Sequence, residues 1–278
     1  MLTKPENILQ EKIITSHSLG GGCIADSQVI KTESGKKYFI KKYALPNIHK
    51  AEANGLTELA KPNVIKIPEV IFYDDEILIL DFIQEGRKKN NFFEDFGRQV
   101  AKLHKFTAEK FGFYEDNYCG STPQKNIPMN DDWTEFYFNN RLLFQYKLAE
   151  KNKYVTAELK SSFLRLESKI NKIIQTEEKP ALLHGDLWGG NYIIDENGNA
   201  CLIDPAVYYG NREADLAMTK IFGGFDSLFY EAYQKEFPLP DGWQYRENIY
   251  KLYHIFNHLN LFGMTYYNQV MELINFYL

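Results

Sequence analysis

The sequence predicts an α+β chain in two lobes: a small lobe with an antiparallel sheet and one main helix, then a larger, mostly helical lobe. Three observations carry this. Runs rich in β-branched and aromatic residues, broken by turn residues, fill the first ninety positions. After Gly86 the apolar residues change to helical spacing, first at Phe93, Phe96, Val100 and Leu103. No repeat or low-complexity linker interrupts the chain, so the change of period near residues 81–90 marks the boundary, dividing 1–86 from 87–278.

Each element has its own signal. Ile13-Ile14 begins an extended stretch that ends in Gly20-Gly21-Gly22, and residues 23–30 form the next strand. Thr32-Glu33-Ser34-Gly35 is a turn, and residues 37–41 are a third strand. Asn47 is a suitable N-cap for a helix reaching about Ala60, with Ala51, Leu56 and Leu59 as apolar positions. Residues 68–73 and 77–82 are two more strands, parted by Asp74-Asp75. Helices follow over 92–106, 132–149 and 157–174, then a strand–turn–strand over 182–204, then mostly helix over 213–276.

Composition removes several classes of function. The chain has 278 residues, enough to bury ~75% of its unfolded surface without staples. Its 19 Tyr and 20 Phe, with 44% hydrophobic residues, exclude wholesale disorder. The longest clean apolar run, Ile77 to Leu80, is far too short to span a membrane. Residues 1–10 lack the apolar stretch of a signal peptide. Cys23, Cys119 and Cys201 are too widely spaced for a disulfide framework or a zinc pattern, so the expected compartment is the reducing cytoplasm. A net charge of −5 argues against a general nucleic-acid binder.

The densest chemical signal is His184-Gly185-Asp186-Leu187-Trp188-Gly189-Gly190-Asn191, followed by Ile203-Asp204-Pro205. Four residues separate Asp186 from Asn191, the H-x-D-x-x-x-x-N spacing of a kinase catalytic loop. In that chemistry the Asp accepts the proton of the attacking hydroxyl, the Asn ligates Mg²⁺, and a later Asp bridges metal and phosphates. A two-residue turn at Asn197-Gly198 pairs Tyr192 with Ile203, Ile193 with Leu202, Ile194 with Cys201 and Asn191 with Asp204. Directly opposed residues share a face, so two hard oxygen donors suited to Mg²⁺ come together. The first lobe supplies the rest in kinase order. Gly20-Gly21-Gly22 is a loop able to lie over phosphates or a bare glycine turn, and Lys41 is a phosphate contact or a solvated strand end. Glu52 in the next helix is a partner for Lys41. The order of these parts, rather than any one, predicts a protein-kinase-like fold that binds ATP and Mg²⁺. After Asp204 there is no D-F-G and no room for a long activation loop, which points to a small-molecule kinase.

These residues resemble the fructosamine kinase (ketosamine 3-kinase) family. The likeness rests on 184–191, on Ile203-Asp204-Pro205-Ala206-x-Tyr208-Tyr209-Gly210-x-Arg212-Glu213-Ala214-Asp215-Leu216-Ala217-Met218, and on Phe222-Gly223-Gly224-Phe225. Weaker matches along nearly the whole chain include Phe39-Ile40-Lys41, Asp132-Trp133 and Asn257-His258-Leu259-Asn260. The resemblance implies ATP-dependent phosphorylation of the 3-hydroxyl of ketosamines, on glycated lysine side chains or free ketoamines. The 3-phosphate is then lost by elimination and the amine is restored, a deglycation repair. Ribulosamine or erythrulosamine is expected ahead of fructosamine. Carried over, Asp186 matches the base, Asn191 and Asp204 the metal ligands, and Lys41 with Glu52 the phosphate-anchoring pair. Asp81, Phe82 and Ile83 match the hinge that binds adenine, and Trp188 and His258 are substrate-side candidates. Gly189 departs from the family, which has Ser there.

Single residues keep two readings. Cys23, directly after the glycines, is a redox-sensitive thiol or a small strand residue. Trp188 stacks on a sugar face or packs. His254 and His258, at i and i+4, read as core or pocket histidines rather than metal ligands, and Asp215 as a brace beside the site. Two other functions fit the same residues: a kinase for an aminoglycoside or another amino-alcohol, and a nucleotide-binding regulator without catalysis.

Overall fold

Strand-forming runs near the N-terminus pair into one five-stranded antiparallel sheet, in a computed structural model that describes residues 5–19, 25–45 and 47–278. Gly20, Gly21, Gly22 and Cys23 lie outside the described residues. A short helix α1 (Pro5–Leu9) leads into β1 (Ile13–Leu19), β2 (Ala25–Thr32) and β3 (Lys37–Tyr43). Helix α2 (Ile48–Ala60) then precedes β4 (Val70–Tyr73) and β5 (Leu78–Asp81), and the sheet order is β1-β2-β3-β5-β4.

Alternation along β5 sorts the two faces of this sheet. Leu78 and Leu80 pack with Ala53 and Leu56 of α2. Ile77 and Ile79 pack with Ile30 and Ile40 on the other side, where Ile8 and Leu9 of α1 cover them. Asn47 does stand at the N-cap of α2, but it adopts a left-handed conformation (φ 63°) and its side chain makes no capping bond. Asparagine tolerates that region better than most residues.

Helix α3 (Phe92–His104) opens the second lobe, burying Phe92, Phe96, Val100 and Leu103 at helical spacing. The chain continues through a hairpin, β6 (Asn117–Cys119) and β7 (Thr122–Gln124). The single helix expected over 132–149 is three segments: α4 (Trp133–Tyr137), a π-helical stretch Phe138–Leu143, and α5 (Phe144–Lys151). The π turn buries Phe138, Arg141 and Leu142, and the Arg141 guanidinium donates to Asn126 Oδ1 (2.8 Å) and lies 4.1 Å over the Tyr208 ring. Helix α6 (Ala157–Glu167), capped by Thr156 through the Leu159 N–H (3.1 Å), gives way to α7 (Ile170–Ile174).

Four short strands frame the second lobe's upper surface. They are β8 (Ala181–Leu183), β9 (Tyr192–Ile194), β10 (Ala200–Leu202) and β11 (Tyr208–Gly210), paired β8 with β11 and β9 with β10. Helices α8 (Glu213–Thr219), α9 (Ser227–Glu236), α10 (Trp243–Phe262) and α11 (Tyr267–Asn275) complete the chain. The main core lies here, around Phe96, Tyr137, Leu183, Phe229, Tyr250 and Phe256. Among the described residues, no helix is long and apolar enough to cross a membrane.

The two lobes are tied at several points. The Gly86 N–H donates to Ile194 O (2.9 Å), and Lys66 pairs with Asp195 (3.1 Å). From α2, Glu58 accepts a bond from the Tyr209 hydroxyl (2.8 Å) and Asn54 donates to Glu115 (2.6 Å).

Candidate active site

Strand β3 presents Phe39, Lys41 and Tyr43 to one face by simple alternation, and all three line a cleft of about 670 Å³ between the lobes. Lys41 Nζ donates to Glu52 Oε1 of α2 at 2.7 Å, with both side chains buried. It also contacts the Asp204 carboxylate. Burial alone disfavours the ammonium, but Glu52 and Asp204 outweigh it and hold Lys41 well above its ordinary pKa. The Tyr43 hydroxyl donates to the other oxygen of Glu52. Sequence reasoning passed over Tyr43, although its place two residues after Lys41 on one strand face was the signal.

The catalytic-loop candidate hangs between β8 and β9. Gly185 has φ +82°, and a Cβ there would lie 1.9 Å from Ala206 O. Only glycine fits, because the segment after Asp204 returns alongside and Ala206 N donates to His184 O (2.9 Å). Asp215 of α8 accepts the N–H groups of His184 (2.7 Å) and Gly185 (2.8 Å), and His104 Nε2 lies 3.2 Å from it. The Asp186 N–H donates to His184 Nδ1 (3.3 Å), so Nε2 carries the proton bonded to Ile203 O (2.9 Å). Burial lowers the His184 pKa, in keeping with a neutral ring that spaces the loop.

Asp186 and Asn191 meet as their spacing predicts. Asn191 Nδ2 donates to Asp186 Oδ2 (3.0 Å) and to Asp186 O (2.9 Å). Burial raises Asp186 to about 7; the Asn191 bond opposes the rise, and Asp204 and Asp215 add to it.

The hairpin register differs from expectation by one residue. Tyr192 faces Leu202, Ile193 faces Cys201 and Ile194 faces Ala200. Asn191 O accepts from Ile203 N (3.0 Å), so Asn191 is not directly opposite Asp204. The cause is the turn. Asp195 Oδ1 accepts from Asn197 N (3.0 Å) and Asn199 N (2.8 Å), Gly198 is left-handed (φ 76°), and Asp195 N bonds Asn199 O (2.9 Å). This makes a three-residue loop with a glycine bulge in place of a two-residue turn. Asp204 adopts φ 54°, and Asn191 Nδ2 still reaches its carbonyl (3.4 Å).

With its NH₂ group engaged, Asn191 offers Oδ1 to a cation, beside a half-exposed Asp204 carboxylate. This hard oxygen set suits Mg²⁺. Asp81, Phe82 and Ile83 line the same cleft, as do Leu80, Ile193 and Ile203. Trp188 lines it too, its ring packed edge-on against Phe222 (5.8 Å). His258 does not reach the cleft lining: its Nδ1 bonds His254 O (2.8 Å) and its ring packs on Phe222, Phe262 and Tyr266. His254 instead stands beside the Asp186 carboxylate, with Nδ1 3.9 Å from Oδ1. Asn117 and Gln124 also escaped sequence reasoning, since nothing local marks them. Asn117 Nδ2 donates to Val207 O (2.7 Å) and Gln124 Nε2 to Ala206 O (2.9 Å), fixing the segment that follows Asp204.

Comparison with known proteins adds an independent line. Residues 4–278 match the family model described as fructosamine kinase. An Enterococcus faecium protein named "Probable ketoamine kinase" is 39% identical, covering 91% of this chain and 92% of its own. The chloroplastic protein-ribulosamine 3-kinase of Arabidopsis thaliana is 37% identical over 94% of this chain and 82% of its own. The crystal structure of a "putative fructosamine-3-kinase" from Thermobifida fusca superimposes with a TM-score of 0.90 at 29% identity, covering 98% of this chain and 96% of that one.

Proposed function

The chain belongs to the fructosamine kinase family and is an ATP-dependent ketosamine kinase, and we propose that it acts on ribulosamines attached to lysine side chains. The observation that carries the site assignment is the convergence of Lys41, Glu52, Asp186, Asn191 and Asp204 on one cleft from four separate parts of the chain. The ribulosyl preference is supported by the 37% identity to a protein-ribulosamine 3-kinase.

Phosphoryl transfer needs positioning and charge stabilisation more than covalent help. Asp186 accepts the proton of the sugar 3-hydroxyl at its carboxylate and orients that oxygen for attack. Lys41, held by Glu52, binds phosphate oxygens with a fixed positive charge. Asn191 Oδ1 and the Asp204 carboxylate would hold Mg²⁺, which when bound neutralises phosphate charge. The 81–83 segment takes the adenine ring, with apolar neighbours Leu80, Ile193 and Ile203. Trp188 forms the wall on the acceptor side.

The test is mass spectrometry of ribulosyl-lysine and fructosyl-lysine peptides incubated with the protein and Mg-ATP, with Asp186→Asn as control. The expected result is gain of one phosphoryl group followed by return to the unmodified lysine mass, faster on the ribulosyl peptide. No mass change on either peptide overturns the reading, and faster turnover of the fructosyl peptide overturns the sugar preference.

A further inference from the structure

Beside the Asp186 carboxylate lie Cys119 and His254, two groups that phosphoryl transfer does not use. Cys119 Sγ, a carboxylate oxygen of Asp186 and a ring nitrogen of His254 all lie within 4.8 Å of one another. They come from the end of β6, from the catalytic loop and from the middle of α10. His254 is 4% exposed, and its Nδ1 has no hydrogen-bond partner among the described residues. Such an orphaned buried nitrogen is costly and calls for an explanation. Burial lowers the His254 pKa to about 3, so the ring is neutral and keeps a lone pair to donate. Cys119 is held in place by Asn257, whose Nδ2 donates to Sγ (3.5 Å) and to Cys119 O (3.2 Å).

We propose that Cys119, Asp186 and His254 form an inhibitory site for a thiophilic divalent cation of the zinc type, separate from the hard-oxygen pair Asn191 and Asp204. Sulfur, imidazole nitrogen and carboxylate oxygen are the donor types zinc selects, and three protein ligands leave its fourth position for water. Tetrahedral zinc, with bonds of about 2.0–2.3 Å, holds its ligand atoms roughly 3.3–3.7 Å apart. The three atoms here need to close by about 1.5 Å at most, given those bond lengths. On binding, Cys119 releases its thiol proton to solvent as the sulfur–metal bond forms, and nothing is oxidised or reduced. The thiolate and the Asp186 carboxylate together offset the dication, so the site near the buried Arg141 passes from one net negative charge to neutral. A carboxylate tied to the metal is no longer available to the sugar hydroxyl. The inhibition, unlike the binding, rests on the role of Asp186 proposed above.

The experiment uses the full chain, stripped of metal, and reads binding separately from activity. Zinc affinity is measured by competition with a chromophoric chelator, and Co²⁺ serves as a spectroscopic probe of thiolate ligation. The expected result is one tight zinc, a thiolate-to-cobalt charge-transfer band, and at least tenfold weaker zinc binding in Cys119→Ser and in His254→Gln. The band disappears in Cys119→Ser and survives in His254→Gln. With saturating Mg-ATP, zinc lowers turnover and a chelator restores it. Asp186→Asn, which changes one atom, provides a third binding variant if either of the others fails to melt cooperatively. Unchanged affinity in folded variants, or a cobalt complex without the thiolate band, overturns the site. Zinc binding with that signature but without loss of turnover overturns the inhibitory role. An untreated enzyme inactive on every ketosamine overturns the proposed function and leaves the metal site standing.

Discussion

Asp215→Ala is the substitution whose cost is most directly worked from the structure. The carboxylate is 1% exposed and accepts the N–H groups of His184 and Gly185, with His104 as a third neighbour. Alanine leaves both backbone donors buried without a partner, at about 1–3 kcal/mol each. Allowing for some water entry, the expected destabilisation is about 3–5 kcal/mol, or a fall of roughly 6–10 °C in melting temperature for a chain of this size. Because those two peptides set the position of Asp186, turnover falls at least tenfold while the KM for ATP moves little. Differential scanning fluorimetry and steady-state kinetics read both. The charge adds a pH signature. Although burial opposes ionisation, the bonds and charge of His104 and the loop N–H groups hold Asp215 below its usual pKa. Its contribution is therefore present above the unfolded carboxylate pKa, near 4, and is lost as pH falls through the lower folded value. The stability gap between wild type and Asp215→Ala narrows below about pH 4. A variant melting within 2 °C of wild type, by an estimate of about 2 °C per kcal/mol, with more than half its turnover would refute the bracing argument.

Three further outcomes follow from the same geometry. Asp186→Asn loses several orders of magnitude in turnover but keeps wild-type nucleotide affinity by calorimetry; near-normal turnover counts against the base assignment. Lys41→Met strands Glu52 in a buried site, lowering stability by about 3–5 kcal/mol and weakening ATP binding. Adding Glu52→Gln should recover part of the stability but not the ATP affinity, as denaturant melts and nucleotide titration would show. Gly185→Ala combines a left-handed backbone with an overlap on Ala206 O, at about 3–5 kcal/mol in total. Failure to express as a folded protein is the extreme of that outcome, and a wild-type melting curve would contradict it.

The parts of this site that were legible in the sequence are those whose chemistry fixes a local spacing. Asp186 and Asn191 must sit five residues apart for the amide to cross the loop, and the structure closes that loop with a 2.9 Å bond to Asp186 O. Lys41 and Glu52 were readable through their order along the chain. The hairpin register failed for a small reason. Asp195 turns its side chain onto the two following amides and adds one residue to the loop, and a register based on Asn197-Gly198 alone does not see that. The π-helical turn at Phe138–Leu143 was hidden because one inserted residue hardly alters apolar periodicity over eighteen positions. Asn117 and Gln124 left no local signal, and the reading of His254 as a core or pocket histidine could not place it, or Cys119, beside Asp186. Each acquires its role only when α10 and the β6–β7 hairpin converge behind the loop.

The bonds from α2 to the second lobe bear on control. In protein kinases the equivalent helix can swing out, breaking its ion pair with the strand lysine, and an activation loop governs the swing. Here Glu58 and Asn54, on the same helix as Glu52, are fastened to Tyr209 and Glu115. The chain after Asp204 enters β11 within a few residues, leaving no loop to act as a latch. Helix α2 is therefore expected to stay in place, and the control by zinc proposed above acts at Asp186 rather than through this helix. In the absence of zinc, output is expected to follow the amount of enzyme and the supply of glycated amine, with hydrogen exchange in α2 the same whether or not nucleotide is present.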